Sequence, residues 1–284
     1  VTVKQPFKSC IQRQVPSELA IEAARLAILE NPENNPKPVN NNGEINNFKM
    51  AMQIRKKWRN GRTLRVRFLD GDSVIHEKIK KYANEWSQYA NIKFNFNNDS
   101  NAEIRISFQD PQGGYWSYVG TDNLSIPLNE ATMNFEGFNQ QTEEPLIKRV
   151  VLHEFGHCIG VSHEQSNPSA NIPWDKDATY TFYARIGWSK EMVDHNVLSK
   201  LDPAGVAFTP HDKFSIMQYP VDNECTRGDY EIGWNYELSE TDKQFISQMY
   251  PDVSNIHAEE IEDTVIAAAA LHSNPQSSSS LEQF

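Results

Sequence analysis

The chain has 284 residues, of which 38% are hydrophobic and 11% aromatic, enough to bury the core of one large domain or two small ones. A formal net charge of −11 with no basic cluster excludes nucleic acid as a partner, and no apolar run approaches the length of a membrane span. The stretch VTVKQPFKSC at the N-terminus is neither a methionine start nor a signal peptide, so in a secreted protein the signal is expected to be already removed or absent from this sequence.

In chain order, Pro16 to Glu30 reads as one amphipathic helix with Ser17 as a candidate cap. Asn31 to Asn47 has the Pro, Asn and Gly content of a loop. TLRVRF alternates Leu64, Val66 and Phe68 with arginines and reads as a strand. Ile75, Ile79, Tyr82, Ala83 and Trp86 then recur at helical spacing, and IKFNF and EIRISF alternate again. Next comes a largely apolar helix through Leu146, Ile147, Val150, Val151, Phe155 and Ile159. Thr142 is a candidate cap, Glu143 and Glu144 complement its N-terminal dipole, and Pro145 suits its first turn. Beyond it, regular structure should be sparse until SETDKQFISQMY, where Ser239 and Asp242 suggest a capping box and Pro251 a stop. The tail contains IEDTVIAAAALH and a serine run of linker type, and no internal repeat is found.

The apolar helix carries HEFGHCIGVSHE, His153 to Glu164. His153 and His157 are four apart and share one helix face, so both imidazoles can reach one ion. Glu154 sits beside the first ligand, within reach of a water on that ion. Gly160 permits the left-handed turn that re-aims the chain, and His163 can swing back as a third ligand. Three imidazoles with an open fourth position describe a catalytic zinc site. The bland alternative is a His-rich surface helix, against which the full HExxHxxGxxH spacing is strong. His76, His195, His211, His257 and His272 are read as surface or satisfied histidines.

With SIMQYP, Ser215 to Pro220, these residues resemble the metzincin zinc endopeptidases, with Met217 as the turn methionine. Glu164 directly after the third histidine, Tyr219 closing SIMQY, and WSYVG within Gly113 to Asp122 resemble the astacin family. Matrixins lack the first two features. Gln218 departs from the histidine usual at that place in astacins. The resemblance implies an α+β fold: a metzincin-type domain with a mixed twisted sheet, a zinc-binding active-site helix and a loop-rich C-terminal half. It implies one catalytic Zn2+ held by His153, His157 and His163, with Tyr219 as a further ligand that swings away to support the oxyanion. It also implies Glu154 as general base and then acid, and protein or peptide substrates. The strand holding Ile104 and Ile106 is expected to be the cleft's edge, where substrate adds as an antiparallel strand. The implied activity is that of a zinc metalloendopeptidase, secreted or extracellular.

Attached to such a domain, residues 1–50 read as a short helical pro-segment, 51–251 as the catalytic domain and 252–284 as a tail or linker. A permanently packed helical extension is the alternative to the pro-segment. The two disulfides common in animal astacins lack counterparts, which points to a divergent, bacterial member. Cys158 and Cys225 fall on elements that pack together in metzincins, so they are disulfide candidates, with a buried free Cys158 as the alternative. If they pair, Cys10 is the odd thiol. A thiolate is a strong zinc ligand, so Cys10 could block the metal in a latent precursor, making the pro-segment an intramolecular inhibitor. Neither the astacin FxGD motif nor the matrixin switch motif surrounds it. In astacins the N-terminus freed on activation reaches the glutamate after the third histidine, here Glu164. Two other classes remain open: an inactive zinc-binding module, which intact Glu154 argues against, and a helical adhesion or structural protein, which stoichiometric zinc would exclude.

Overall fold

The computed structural model describes residues 10–35, 55–203 and 205–252. The expected domain start at Ala51, His257, His272 and the serine run all lie outside these residues.

Alternation in TLRVRF becomes strand β2, Thr63–Phe68. It leads into helix α2, Ser73–Trp86, whose N-cap Asp72 accepts from the Val74 N–H at 2.8 Å. The five positions at helical spacing, Ile75, Ile79, Tyr82, Ala83 and Trp86, are the five that α2 buries. Strands β3 (Lys93–Asn95) and β4 (Ile104–Ser107) follow, then β5 (Tyr115–Tyr118) and β6 (Met133–Phe135). With β1 (Cys10–Arg13) they form one sheet in the order β1-β5-β6-β4-β2-β3. β5 runs antiparallel to β6, and every other pairing is parallel.

This order corrects the edge-strand expectation. β4 pairs with β2 on one side and β6 on the other, so its backbone is spent inside the sheet. The edge strands of the sheet are β1 and β3, and β1 lies along β5, the WSYVG strand, in parallel, Cys10 opposite Tyr115 and Arg13 opposite Tyr118. No period-2 pattern marks so short a strand, and nothing in the sequence announces it.

The second layer is helical. Helix α3, Glu144–Cys158, is buried from Val150 to Cys158 and packs on α2, whose Trp86 Nε1 donates to the Leu152 carbonyl at 2.9 Å. Thr142 does not cap it: its hydroxyl accepts from the Asn139 N–H at 3.0 Å, and the N-cap position is Glu143 with no side-chain bond. Pro145 is in its first turn as expected. The N-terminal segment is likewise a 3-10 turn at Ser17–Leu19 followed by helix α1, Ala20–Glu30, with no side-chain cap from Ser17. α1 packs on the 3-10 turn Gly120–Ser125, and the turn after it is tied to Lys57 and Trp58 ahead of β2. Asn34 makes paired bonds with Lys57, Nδ2 to the carbonyl at 2.8 Å and Oδ1 from the N–H at 3.0 Å, while Asn31 Nδ2 donates to the Trp58 carbonyl. The loop expected from Asn31 therefore opens with a 3-10 turn, Pro32–Asn34.

The C-terminal half holds more helix than its composition suggested. Helix α4, Lys176–Ala184, is capped by Asp175, and the short α5, Lys190–Val193, is capped by Ser189 and runs into a π-type turn at Asp194–Leu198. Helix α6, Glu240–Met249, begins with the expected capping box of Ser239 and Asp242.

Candidate metal centre and active site

The site is built where α3 ends. Gly160, at φ +100°, stops the helix, and the chain turns back to bring His163 towards the two helical histidines. His153, His157 and His163 are all buried, and their ligand atoms lie within 4.8 Å of one another. Nδ1 of His153 bonds the Ile216 carbonyl and Nδ1 of His157 the Val161 carbonyl, each at 2.8 Å. A carbonyl can only accept, so each Nδ1 carries the proton and each Nε2 keeps its lone pair. The ring of His163 is held by the Asn196 backbone. The Nε2 atoms of His157 and His163 stand 3.0 Å apart, and that of His153 is buried without a partner among the described residues. Burial lowers all three histidine pKa values, His157 to about 4, so neutral imidazoles face one point. That donor set fits a divalent zinc ion.

Below the histidines runs the turn Ser215 to Pro220. Met217 is fully buried against α3 at Gly156, where an added Cβ would overlap its Sδ and come within 3.1 Å of Trp86. The glycine of HEFGH is therefore a close-approach position, which the spacing alone does not show. The turn is clamped by Asp242 of α6, which accepts from Ser215 Oγ at 2.7 Å and the Ile216 N–H at 2.8 Å. One carboxylate thus caps α6 and sets the carbonyl that orients His153.

Tyr219 is buried, its ring centroid 4.4 Å from that of His163, and among the described residues its hydroxyl has no partner. Its N–H donates to Gln165 Oε1, and Gln165 Nε2 donates to the Asn196 carbonyl, so one side chain links the tyrosine to the π-type turn. Gln218, the departure from histidine, pairs with His211 at 2.8 Å and donates to the Tyr219 carbonyl. Glu154 is fully buried, and among the described residues the Cys10 thiol stands beside its carboxylate. Burial pushes its pKa up to about 8, against the opposing pull of Cys10 and Arg149. Glu164 is pushed up to about 7 by burial, although the Asp212 N–H and Asn167 Nδ2 each donate to it at 2.9 Å.

Cys10 Sγ lies within 4.8 Å of ligand atoms of both His153 and Glu154, and the residue is 2% exposed. Burial, and then the charge of Glu154, raise its pKa well above the ordinary thiol value. The disulfide expectation is overturned, because Cys158 and Cys225 are both free buried thiols. Cys158 lies at the end of α3, where its carbonyl accepts from Trp58 Nε1 at 2.8 Å, whereas Cys225 lies against Asp175 and Thr179 at the start of α4. Neighbours along a helix point about 100° apart, so adjacency to His157 does not aim Cys158 at Cys225. Arg149 is absent from the motif reading. It is four residues before His153, a spacing that could flag it, and its guanidinium lies 4.0 Å over the Trp234 ring.

The fold and this centre define a zinc metallopeptidase. The family model described as Astacin, a peptidase family, matches residues 50–251. Two solved structures of myroilysin are similar. One shares 42% identity over 69% of this chain and 96% of its own, with a TM-score of 0.67. The other shares 37% over 85% of this chain and 99% of its own, with a TM-score of 0.55. No curated protein matches the chain. The chain belongs to the astacin family of zinc metalloendopeptidases.

Proposed function

We propose that the chain is the latent precursor of a secreted zinc endopeptidase, with residues 1–50 as pro-segment, 51–251 as catalytic domain and Cys10 as the group that blocks the metal. The observation that carries this is β1, which lies along β5, the strand that becomes the rim once residues 1–50 leave, with the Cys10 thiol beside His153 and Glu154. An extended substrate would add to that rim by main-chain hydrogen bonds, antiparallel to β5. β1 runs parallel to β5, the reverse of such a substrate, so it fills the groove with its peptide groups turned the wrong way for cleavage. A cysteine that ligates the ion does so as thiolate, releasing its proton, and takes the position a reacting water needs. The secreted setting rests on the family and on no feature of the site.

His153, His157 and His163 would hold the zinc. Bound there, zinc supplies a Lewis acid that acidifies a water and polarises a peptide carbonyl. Glu154, buried beside His153, takes a proton from the attacking water and returns it to the leaving amine. The Tyr219 hydroxyl, buried and free of partners among the described residues, donates to the oxygen that gains charge in the transition state. Met217 floors the site through its packing on Gly156, and Glu164 would receive the N-terminus freed by cleavage in the linker.

The test is a Cys10→Ser precursor made uncleavable in the linker. It should gain peptidase activity, and the wild-type precursor should show one sulfur ligand at zinc by X-ray absorption. A silent variant together with no sulfur at the metal would place latency elsewhere.

A further inference from the structure

The face of β5 turned away from the histidines is covered by the same N-terminal segment. Ile11 and Val15 pack on Trp116, Tyr118 and Ile126. Arg13 follows on the same face, since alternate strand residues share a side. Its guanidinium stacks over the Trp116 ring at 3.9 Å and stands 5.9 Å from that of Tyr118. It donates to Gln112 Oε1 and lies 3.6 Å from Asp110 Oδ1. Arg13 and Asp110 keep only 18% and 19% of their side-chain surface in solvent. An aromatic face, a carboxylate and an amide oxygen thus enclose one cation in the groove.

We propose that Trp116, Tyr118 and Asp110 form a substrate subsite that selects an arginine or lysine on the N-terminal side of the scissile bond. The proposal rests on the endopeptidase reading and on β1 lying in the substrate groove. The register supplies the position. Cys10, beside the metal ligands, is opposite Tyr115, and Arg13 is opposite Tyr118. A substrate antiparallel to β5 reaches the level of Tyr118 three residues before it reaches that of Tyr115. Directly opposed residues point to the same face in either strand direction, so a reversed chain still presents its side chain to the surface that Arg13 occupies. The rings alone would accept any apolar group. The negative ring face of Trp116 and the Asp110 carboxylate favour a positive one. A partly desolvated cation–π contact with an ion pair at its edge corresponds to a preference of about 10-fold.

The experiment uses the full chain, folded intact, loaded with zinc and then cut within residues 36–54 by an added protease. Matched peptides carry Arg, Ala or Glu at each of the three positions before the cleaved bond. The kcat/KM ratio of Arg to Ala peptide should be about 10 at one of these positions, with the Glu peptide poorest. Asp110→Asn keeps an acceptor for the Gln112 N–H, which Asp110 Oδ1 now binds at 3.0 Å, and should collapse that ratio to within about 2-fold. Trp116→Leu is the second variant and should lower it as well. Because each readout is a ratio within one preparation, losses in folding or activation cancel. An active wild-type enzyme with a ratio near 1, or a ratio that survives both variants, overturns the subsite alone. A zinc-loaded, cut wild type that cleaves no peptide overturns the endopeptidase reading and the subsite with it.

Discussion

Gly156 and Met217 occupy one another's space. The glycine of the zinc motif has no room for a Cβ, because Met217 Sδ and Trp86 Cζ2 already fill that volume. Gly156→Ala should therefore overpack the floor of the site, costing about 1–3 kcal/mol. Thermal unfolding should show a lowered Tm, together with a reduced zinc content. An alanine variant with wild-type Tm would mean that the methionine turn yields freely.

Asp242 governs the metal from a distance, through the Ile216 N–H and then the carbonyl that orients His153. Asp242→Ala leaves the buried Ile216 N–H and Ser215 hydroxyl without their acceptor. Zinc affinity should fall about 10-fold or more, as for lost outer partners of metal ligands. Competition against a chromogenic chelator reads this directly, and unchanged affinity would confine Asp242 to capping α6.

Glu154→Gln and Tyr219→Phe separate chemistry from metal binding. Three imidazoles remain in both, so zinc should stay stoichiometric by metal analysis. Loss of the general base should lower kcat by about 10²–10⁴-fold. Loss of the tyrosine hydroxyl should lower it by about 10²–10³-fold, with little change in KM. A Tyr219→Phe enzyme with wild-type kcat would reduce that residue to packing.

Glu103 offers a pH signature outside the set of metal ligands. Burial alone would raise its pKa, but hydrogen bonds from the Arg65 side chain and N–H outweigh burial and hold it below the ordinary carboxylate value. The folded state thus binds fewer protons than the unfolded chain in acid. The stabilisation is present above the unfolded pKa, about 4.3, and is lost as pH falls through the lower folded value. Arg65 is 37% exposed, so solvent screening limits the effect. Glu103→Gln should cost about 1–3 kcal/mol at pH 7, and that difference should shrink in acid. Denaturant titrations of both proteins at pH 7 and pH 3 test this, and a pH-independent difference would remove the charge from the explanation.

By itself the sequence determined the family, the fold class, the enzyme class and the zinc. HExxHxxGxxH encodes its geometry locally: four residues are one helical turn, and one glycine in a left-handed conformation reverses the chain. The α2 face and the α6 capping box were legible for the same reason, since their partners lie within a few residues. Only the tertiary structure decided what depends on contacts between distant residues. It put β4 inside the sheet, brought Cys10 across the fold to His153 and Glu154, parted Cys158 from Cys225, and set Asp242 against Ile216. None of these leaves a period or spacing in the chain. Strand neighbours and side-chain meetings between remote segments are selected by how whole layers pack, and that energy is shared across the core rather than written at any one position.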